Sequence, residues 1–359
     1  MRLLRLLLFP FSLIYALVVI LRNWAYDTGI FKSRKFKIPI ISVGNLAVGG
    51  AGKSPMTEYL VTLLKDDHKL ATLSRGYGRR TKGFLQVKSS SQAEDSGDEP
   101  LQFKKKFPEI TVAVCEDRVE GVKELNQHHQ VILLDDAFQH RAVKPGLSIL
   151  LFDYKSLTGF QWLLPTGDLR EPLSGRKRAD MLVITKSPTH LTVEQRKQLI
   201  GRVNPYVHQQ VFFSSLEYAD MKMLLHPDEE LSLQNISNDA QIFLITGIAN
   251  ASPLVEHLKL YTPHVSHHEY PDHHQFSKKN IAKLVTVFNN SPAGKKYIIT
   301  TEKDAQRLNS HQFKELLKGL PVYYLPVRTC IQSPDEERFN NLIKEYVRKH
   351  PVNNRIYKT

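Results

Sequence analysis

The sequence predicts an α/β fold, with a mostly parallel sheet flanked by helices, a second, smaller α/β domain, and an N-terminal membrane helix. Three observations carry this reading. Short, continuously apolar runs alternate with helix-like stretches, a glycine-rich segment follows the first of those runs, and a charge-free segment lies near the N-terminus.

The apolar runs are IPIISVG at 38–44, LATLS at 70–74, TVAVC at 111–115, VILLDD at 131–136, LSILLFD at 147–153 and MLVIT at 181–185. Strands that are apolar on both faces belong to a sheet covered on both sides, and helices between them make the parallel crossovers. Near 226–239 the chain turns polar (HPDEELSLQNISND), which reads as a connection or a short ribbon. Beyond it IFLITGIAN, YIITTEK and VYYLPV are strand candidates, and 334–349 has the pattern of a closing helix. The predicted division is an anchor with its basic flank at 1–35, a first domain at 36–225, a connection at 226–240 and a smaller domain at 241–359. The polar stretch KSSSQAEDSGDEP at 88–100 reads as a long loop, a place where function is often found.

Leu6 to Leu21 carry no charge, with Arg2 and Arg5 before them and Arg22, Arg34, Lys35 and Lys37 after. No small-residue cleavage site follows, so the segment reads as an anchor rather than a removable signal. Sixteen helical residues span about 24 Å, short of a roughly 30 Å hydrocarbon core, and Pro10 interrupts the first turns. A shallow anchor and a full crossing both remain open. The basic cluster suits the anionic headgroups of a cytoplasmic face.

In 359 residues with 42% hydrophobic content there is material for two cores. Lysine and arginine exceed aspartate and glutamate by 49 to 36, a net charge of +13. That balance suits phosphates, anionic headgroups or nucleic acid without choosing among them. Two cysteines, Cys115 and Cys330, make neither a disulfide framework nor a cysteine zinc site.

SVGNLAVGGAGKSP, from Ser42 to Pro55, has the form of a P-loop: a strand, a glycine-rich turn and a helix start. Backbone amides approach a phosphate only where side chains are absent, and the helix N-terminus adds partial positive charge. Gly49, Gly50, Ala51 and Gly52 form the cradle, Lys53 reaches the β and γ phosphates of ATP, and the Ser54 hydroxyl holds Mg²⁺. Pro55 is tolerated because first-turn amides lack helical partners. The general pattern wants glycine where this chain has Ala47. The bland alternative is an ordinary glycine turn between strand and helix. A neighbouring strand end supplies the second metal-positioning acid: VILLDDAFQHR places Asp135 and Asp136 there, with Gln139 and His140 just beyond. Alone, such acids are as ordinary as helix caps. His264, His267, His268, His273 and His274 lack the separated ligand pairs usual for zinc and read as a solvated loop with one working histidine.

GGxGK[ST]P, SRGYG (Ser74–Gly78), GDEP (Gly97–Pro100), the DD-x-x-Q strand end, LREP (Leu169–Pro172), DH-x-x-F (Asp272–Phe276) and TEKD (Thr301–Asp304), in this order, resemble the tetraacyldisaccharide 4'-kinases, the lipid A 4'-kinases of Gram-negative bacteria. The resemblance runs from the anchor to about residue 327, and that family's P-loop also lacks the first glycine. It implies transfer of the ATP γ-phosphoryl group to the 4'-hydroxyl of an acylated glucosamine disaccharide 1-phosphate, at the cytoplasmic face of the bacterial inner membrane. It also implies that Asp98 is the catalytic aspartate and His273 its partner, and that Arg75, Tyr77, Arg118, Gln139 and Arg170 line the cleft. Guanidinium groups there suit phosphates bidentately. No obligate protein partner is implied. Lys104–Lys106 and Arg176–Arg178 read as solvated faces.

Two other readings compete. A membrane-associated P-loop NTPase acting as a hydrolytic switch or assembly factor would be favoured by a guanine-specific [NT]KxD motif, but Thr185-Lys186-Ser187-Pro188 has proline where the acid belongs. A nucleic-acid binder or inert scaffold predicts basic stripes with interleaved aromatics and no intact phosphate loop, whereas here the charges are dispersed and the loop is intact, so nucleic acid is not an expected partner.

Overall fold

In the computed structural model, residues 5–159, 161–272 and 274–350 are described. The chain forms two compact units. The first runs to Ser91, resumes from Asp95 to Leu216 and takes up the chain again from Thr329; the second is Glu217–Arg328 with Gln92–Glu94.

The first unit holds a nine-stranded sheet in the order β15-β8-β7-β6-β1-β5-β2-β4-β3. Its strands are β1 (Ile40–Asn45), β2 (Leu70–Ser74), β3 (Leu85–Gln86), β4 (Thr111–Val114), β5 (Val131–Asp135), β6 (Leu147–Asp153), β7 (Met181–Thr185), β8 (Gln210–Tyr218) and β15 (Val327–Ile331). From β8 across to β4 the neighbours are parallel, and β3 runs antiparallel to β4. All six predicted strands of this half are present, and β1, β5 and β7 are buried throughout, as apolar runs covered on both faces require. The helices are α1 (Phe9–Asp27), α2 (Lys53–Leu64), α3 (Asp98–Lys106), α4 (Arg118–Asn126), α5 (Val193–Val203) and, after the second unit, α10 (Glu336–Lys349). Val122 and Leu125 of α4 pack with Leu73, Ala113, Ile132 and Leu134. Leu199 and Val203 of α5 close a second cluster on Leu150, Leu182, Ile184 and Phe213.

Three expectations change here. The 88–100 stretch is only partly loop: Ala93–Ser96 make one helical turn and α3 starts at Asp98, where Gly97 takes φ +92° and Asp98 and Glu99 sit in a first turn that favours acids. Pro10 does not interrupt α1, because it lies in the first turn, where no helical hydrogen bond is lost. And α10 belongs to the first unit, not to a domain running to the chain end. Phe339, Ile343 and Val347 are fully buried on one face of α10, each side chain worth roughly 1.5–3 kcal/mol. The Tyr346 hydroxyl donates to the Ile40 carbonyl at 3.2 Å and accepts from the Ile40 amide at 3.1 Å.

The second unit holds a six-stranded sheet, β10-β9-β14-β13-β11-β12. Its strands are β9 (Met221–Met223), β10 (Glu230–Leu231), β11 (Gln241–Thr246), β12 (Val265–Glu269), β13 (Lys296–Thr301) and β14 (Val322–Leu325), with α6 (Ser252–Leu258), α7 (Lys278–Asn290), α8 (Glu302–Leu308) and α9 (His311–Leu317). β9 runs antiparallel to both β14 and β10, so the stretch read as a connection supplies one strand, β10, of a short ribbon that begins just before it. Phe243 and Ile245 of β11 join one core cluster while Ile242 and Leu244 join another, the period-two alternation of a sheet with two covered faces.

Candidate functional site

β1 lies between β5 and β6, so connections leave it toward opposite sides and open a crevice at the carboxyl ends of the strands. The glycine-rich loop follows β1 there. Gly49 (φ +102°) and Gly52 (φ +81°) adopt left-handed backbone that a side chain would strain, and Gly52 caps α2. Ala47 is not among the positive-φ residues, so its Cβ costs nothing where the general pattern has glycine. Thr185, at the end of β7, donates its hydroxyl to the Ala51 carbonyl at 2.8 Å. Lys186 donates to the Gly50 carbonyl and pairs with Asp153 at 2.9 Å. The TKSP segment thus buttresses the loop.

Lys53 opens α2, and its ammonium lies 3.3 Å from Asn45 Oδ1 and 3.6 Å from Asp136 Oδ2. Asp135 ends β5 and is buried, accepting from the Thr57 hydroxyl at 3.1 Å. Burial, with the carboxylates of Glu99 and Asp136 nearby, pushes the Asp135 carboxyl up to about 7 against the pull of Lys53 and Thr57. Asp136 turns out of the strand with φ 47°, a left-handed conformation aspartate tolerates. Arg170 reaches both Asp136 oxygens at 3.2 and 3.3 Å, Asn45 Oδ1 at 3.0 Å and the Ala47 carbonyl at 3.1 Å. Gln139 donates to the Asn45 carbonyl at 2.7 Å. Lys53, Asn45, Asp136, Gln139 and Arg170 are therefore one connected group around the end of β1, with Asp135 next to Asp136 and held by Thr57.

Ser54 is the second residue of α2, one turn before Thr57. The expected metal-holding groups, the Ser54 hydroxyl and the carboxylates of Asp135 and Asp136, are all oxygen donors, the chemistry a hard divalent cation takes. Asp135, raised by burial and then by the Glu99 and Asp136 carboxylates, is a group whose charge such a cation stabilises. The donor chemistry fits Mg²⁺.

Arg118 opens α4, is buried, and donates to the Cys115 and Glu116 carbonyls at 3.3 and 3.2 Å. Burial and the neighbouring Arg75 press its basicity down. Arg75 and Tyr77 are exposed on the loop after β2. A Cβ on Gly76 would come within 3.1 Å of the Ser96 carbonyl oxygen, and one on Gly97 within 3.3 Å of the Tyr77 carbonyl oxygen, so SRGYG and GDEP lie directly against each other. Asp98 follows as the first residue of α3, buried, and Glu99 beside it contributes its charge at Asp135. The other expected catalytic residue, His273, lies outside the described residues. Among the described residues no three histidine, cysteine or acidic side chains converge as metal ligands.

Several site residues escaped the sequence reading. Asn45 receives hydrogen bonds from both Lys53 and Arg170, and Glu171, 1% exposed, accepts from Arg178 at 2.6 Å and from Asn23 at 3.1 Å. Arg178 also stacks over Phe138 at 4.5 Å, so it is not the solvated residue its basic run indicated. A polar residue ending an apolar strand was the available signal for Asn45. From α1, Ser12 donates to Thr166 at 2.8 Å, Tyr15 to the Arg170 carbonyl at 2.8 Å and Arg22 to the Gln139 carbonyl at 2.6 Å. The opposite side of α1 exposes Leu13, Ile14, Leu17, Val18 and Trp24. α1 is long and apolar enough to cross a membrane.

The family model described as Tetraacyldisaccharide-1-P 4'-kinase matches residues 4–348. The tetraacyldisaccharide 4'-kinase of Phocaeicola vulgatus is 43% identical over 351 residues, 96% of either chain. That of Flavobacterium johnsoniae is 41% identical over 353 residues, 98% of this chain and 99% of the relative. The crystal structure of LpxK from Aquifex aeolicus in complex with ATP superposes with a TM-score of 0.74 at 31% identity, covering 96% of this chain and 99% of that one. The chain belongs to the tetraacyldisaccharide-1-P 4'-kinase family.

Proposed function

We infer that this chain is a membrane-attached, MgATP-dependent kinase that transfers the γ-phosphoryl group to the 4'-hydroxyl of an acylated glucosamine disaccharide 1-phosphate. The observation that carries the reading is Lys53 at the mouth of the glycine loop, facing Asp136 at 3.6 Å with buried Asp135 beside it, in a chain matched by the kinase family along its length.

The residues divide the work as phosphoryl transfer requires, by positioning and charge neutralisation. Gly49–Gly52 offer backbone amides to the phosphates, and Lys53 follows the γ-phosphoryl group. Ser54, Asp135 and Asp136 would hold Mg²⁺, which when bound neutralises charge on the β and γ oxygens. Arg170, which pairs with Asp136 and reaches Asn45, both partners of Lys53, is assigned to phosphate, as are Arg75 and Arg118. Tyr77 and Gln139 are assigned to the acceptor's headgroup. The acceptor hydroxyl loses its proton to Asp98, and His273 is assigned to the same step.

The anchor reading takes support from α1. Its hydrogen bonds to the first unit run from Ser12 to Asn23 while its other face is apolar and exposed. A helix engaged along its length with a globular unit suits lying in the interface of one leaflet better than crossing it. Its basic flank suits the cytoplasmic face, where ATP and an inner-leaflet acceptor meet.

The test is transfer of label from γ-labelled ATP to acylated disaccharide 1-phosphate in detergent micelles with Mg²⁺. Labelled lipid is the expected product. Free phosphate released by folded protein, without labelled lipid, would favour a hydrolytic switch instead.

A further inference from the structure

The Asp272–Phe276 and Thr301–Asp304 segments meet inside the second unit. The Thr301 hydroxyl caps α8 by accepting from the Asp304 amide at 3.0 Å, and donates to Asp304 Oδ2 at 2.7 Å. Asp304 is fully buried and also accepts from the Gly247 amide at 3.0 Å. One turn on, buried Arg307 pairs with Asp304 and forks its guanidinium onto the His274 carbonyl at 2.6 Å and the Gly247 carbonyl at 3.2 Å. On the other side of position 273, the Lys303 ammonium lies 3.9 Å from the Asp272 carboxylate. α8 therefore grips the chain on both sides of His273.

The loop is braced further. The His274 ring stacks on Tyr270 at 4.6 Å and its Nε2 lies 3.2 Å from Asn280 Oδ1. Gly247 is tightly enclosed: a Cβ there would sit 3.2 Å from Asp304 Oδ1 and 3.4 Å from His274 Cβ, close enough to push on both. A buried ion pair contributes little net stability, because desolvation offsets its attraction. A planar guanidinium held by a carboxylate and aimed at two carbonyls instead fixes backbone geometry.

We infer that Asp304 and Arg307 are positioning residues that hold the chain at Gly247 and His274 and act on the reaction through the neighbouring His273. This rests on the role proposed for His273. The effect of Arg307 must then pass through that histidine.

The experiment is a double-mutant cycle on the full chain. Arg307→Lys, which keeps the charge but loses the fork, and Gly247→Ala, which crowds the same cluster, are each made in wild-type and His273→Ala backgrounds. Phosphate transfer gives kcat and KM for ATP, and thermal unfolding checks folding. In the wild-type background each substitution lowers kcat by roughly ten- to hundred-fold, the cost of a misplaced catalytic group, with KM for ATP unchanged. In the His273→Ala background the same substitutions cost nothing further. Equal fold-losses in both backgrounds, or near wild-type kcat for both variants, overturn the inference. Full turnover by His273→Ala alone removes the histidine from the reaction, and the positioning role falls with it.

Discussion

Replacing Lys53 by alanine removes an ammonium that faces both Asn45 Oδ1 at 3.3 Å and Asp136 Oδ2 at 3.6 Å. The consequences for stability and catalysis separate. The Lys53 and Asp136 side chains are 14% and 36% exposed, a partly screened pair of the kind worth about 0.2–1 kcal/mol. Asp136 also keeps Arg170 at 3.2 Å, so no unpaired charge is left behind. Unfolding of a domain this size should therefore shift by no more than about 4 °C. Catalysis loses a preorganised charge aimed at the transferring group. Loss of one such contact typically lowers kcat by about 10²–10³, or roughly 2.7–4 kcal/mol. The assay is single-turnover transfer of γ-labelled phosphate to the acylated disaccharide in micelles, beside calorimetric unfolding of both proteins. A folded Lys53→Ala protein turning over within a few-fold of wild type would refute the placement of Lys53 at the γ-phosphoryl group. A collapse of thermal stability would refute the estimate that the pair is structurally minor.

Three further predictions follow from other parts of the molecule. Asp98→Asn, at the buried first residue of α3, should lower kcat by about 10²-fold or more with KM for ATP unchanged, in steady-state transfer assays; unchanged kcat would release Asp98 from proton acceptance. Leu17→Glu on the exposed face of α1 should weaken binding to anionic vesicles by about ten-fold or more in a sedimentation assay, while turnover on micellar acceptor survives. Vesicle binding at full strength would mean that this face does not meet the membrane. Burial raises the Asp180 carboxyl above its usual range although the Ser148 amide donates to it at 2.7 Å. A raised folded-state value means the folded protein holds the proton more tightly, so stability from this group falls as pH rises from the unfolded value through the folded one. Asp180→Asn, which still accepts from Ser148, should match wild type in acid and be the more stable protein at pH 7 in denaturant titrations; the reverse order would contradict the sign.

Most strands were legible because burial on both faces leaves a plain mark: MLVIT and LSILLFD coincide with β7 and β6 residue for residue. The P-loop was legible for a different reason, since backbone contact with phosphate demands glycine at fixed offsets, and Gly49 and Gly52 do adopt positive φ. α3 was hidden in a polar, capping-rich stretch, because its start depends on Gly97 and an acidic first turn rather than on an apolar period. Arg178 looked solvated because a basic run does not show that the chain turns back and sets it against Glu171, seven residues earlier.

From the sequence alone came the α/β class, the phosphate loop, the acids at the end of β5, the apolar anchor and the kinase resemblance, all properties of short segments whose chemistry is local. Tertiary structure decided what depends on residues distant in the chain. It returned α10 to the first unit through Tyr346 and Ile40, and it set Asn45 and Arg170 around Lys53 and Asp136. It also placed α8 of the second unit on both flanks of His273. Such contacts leave no periodic trace in either partner, because a hydrogen bond or ion pair constrains one atom of each residue and not the pattern of its neighbours.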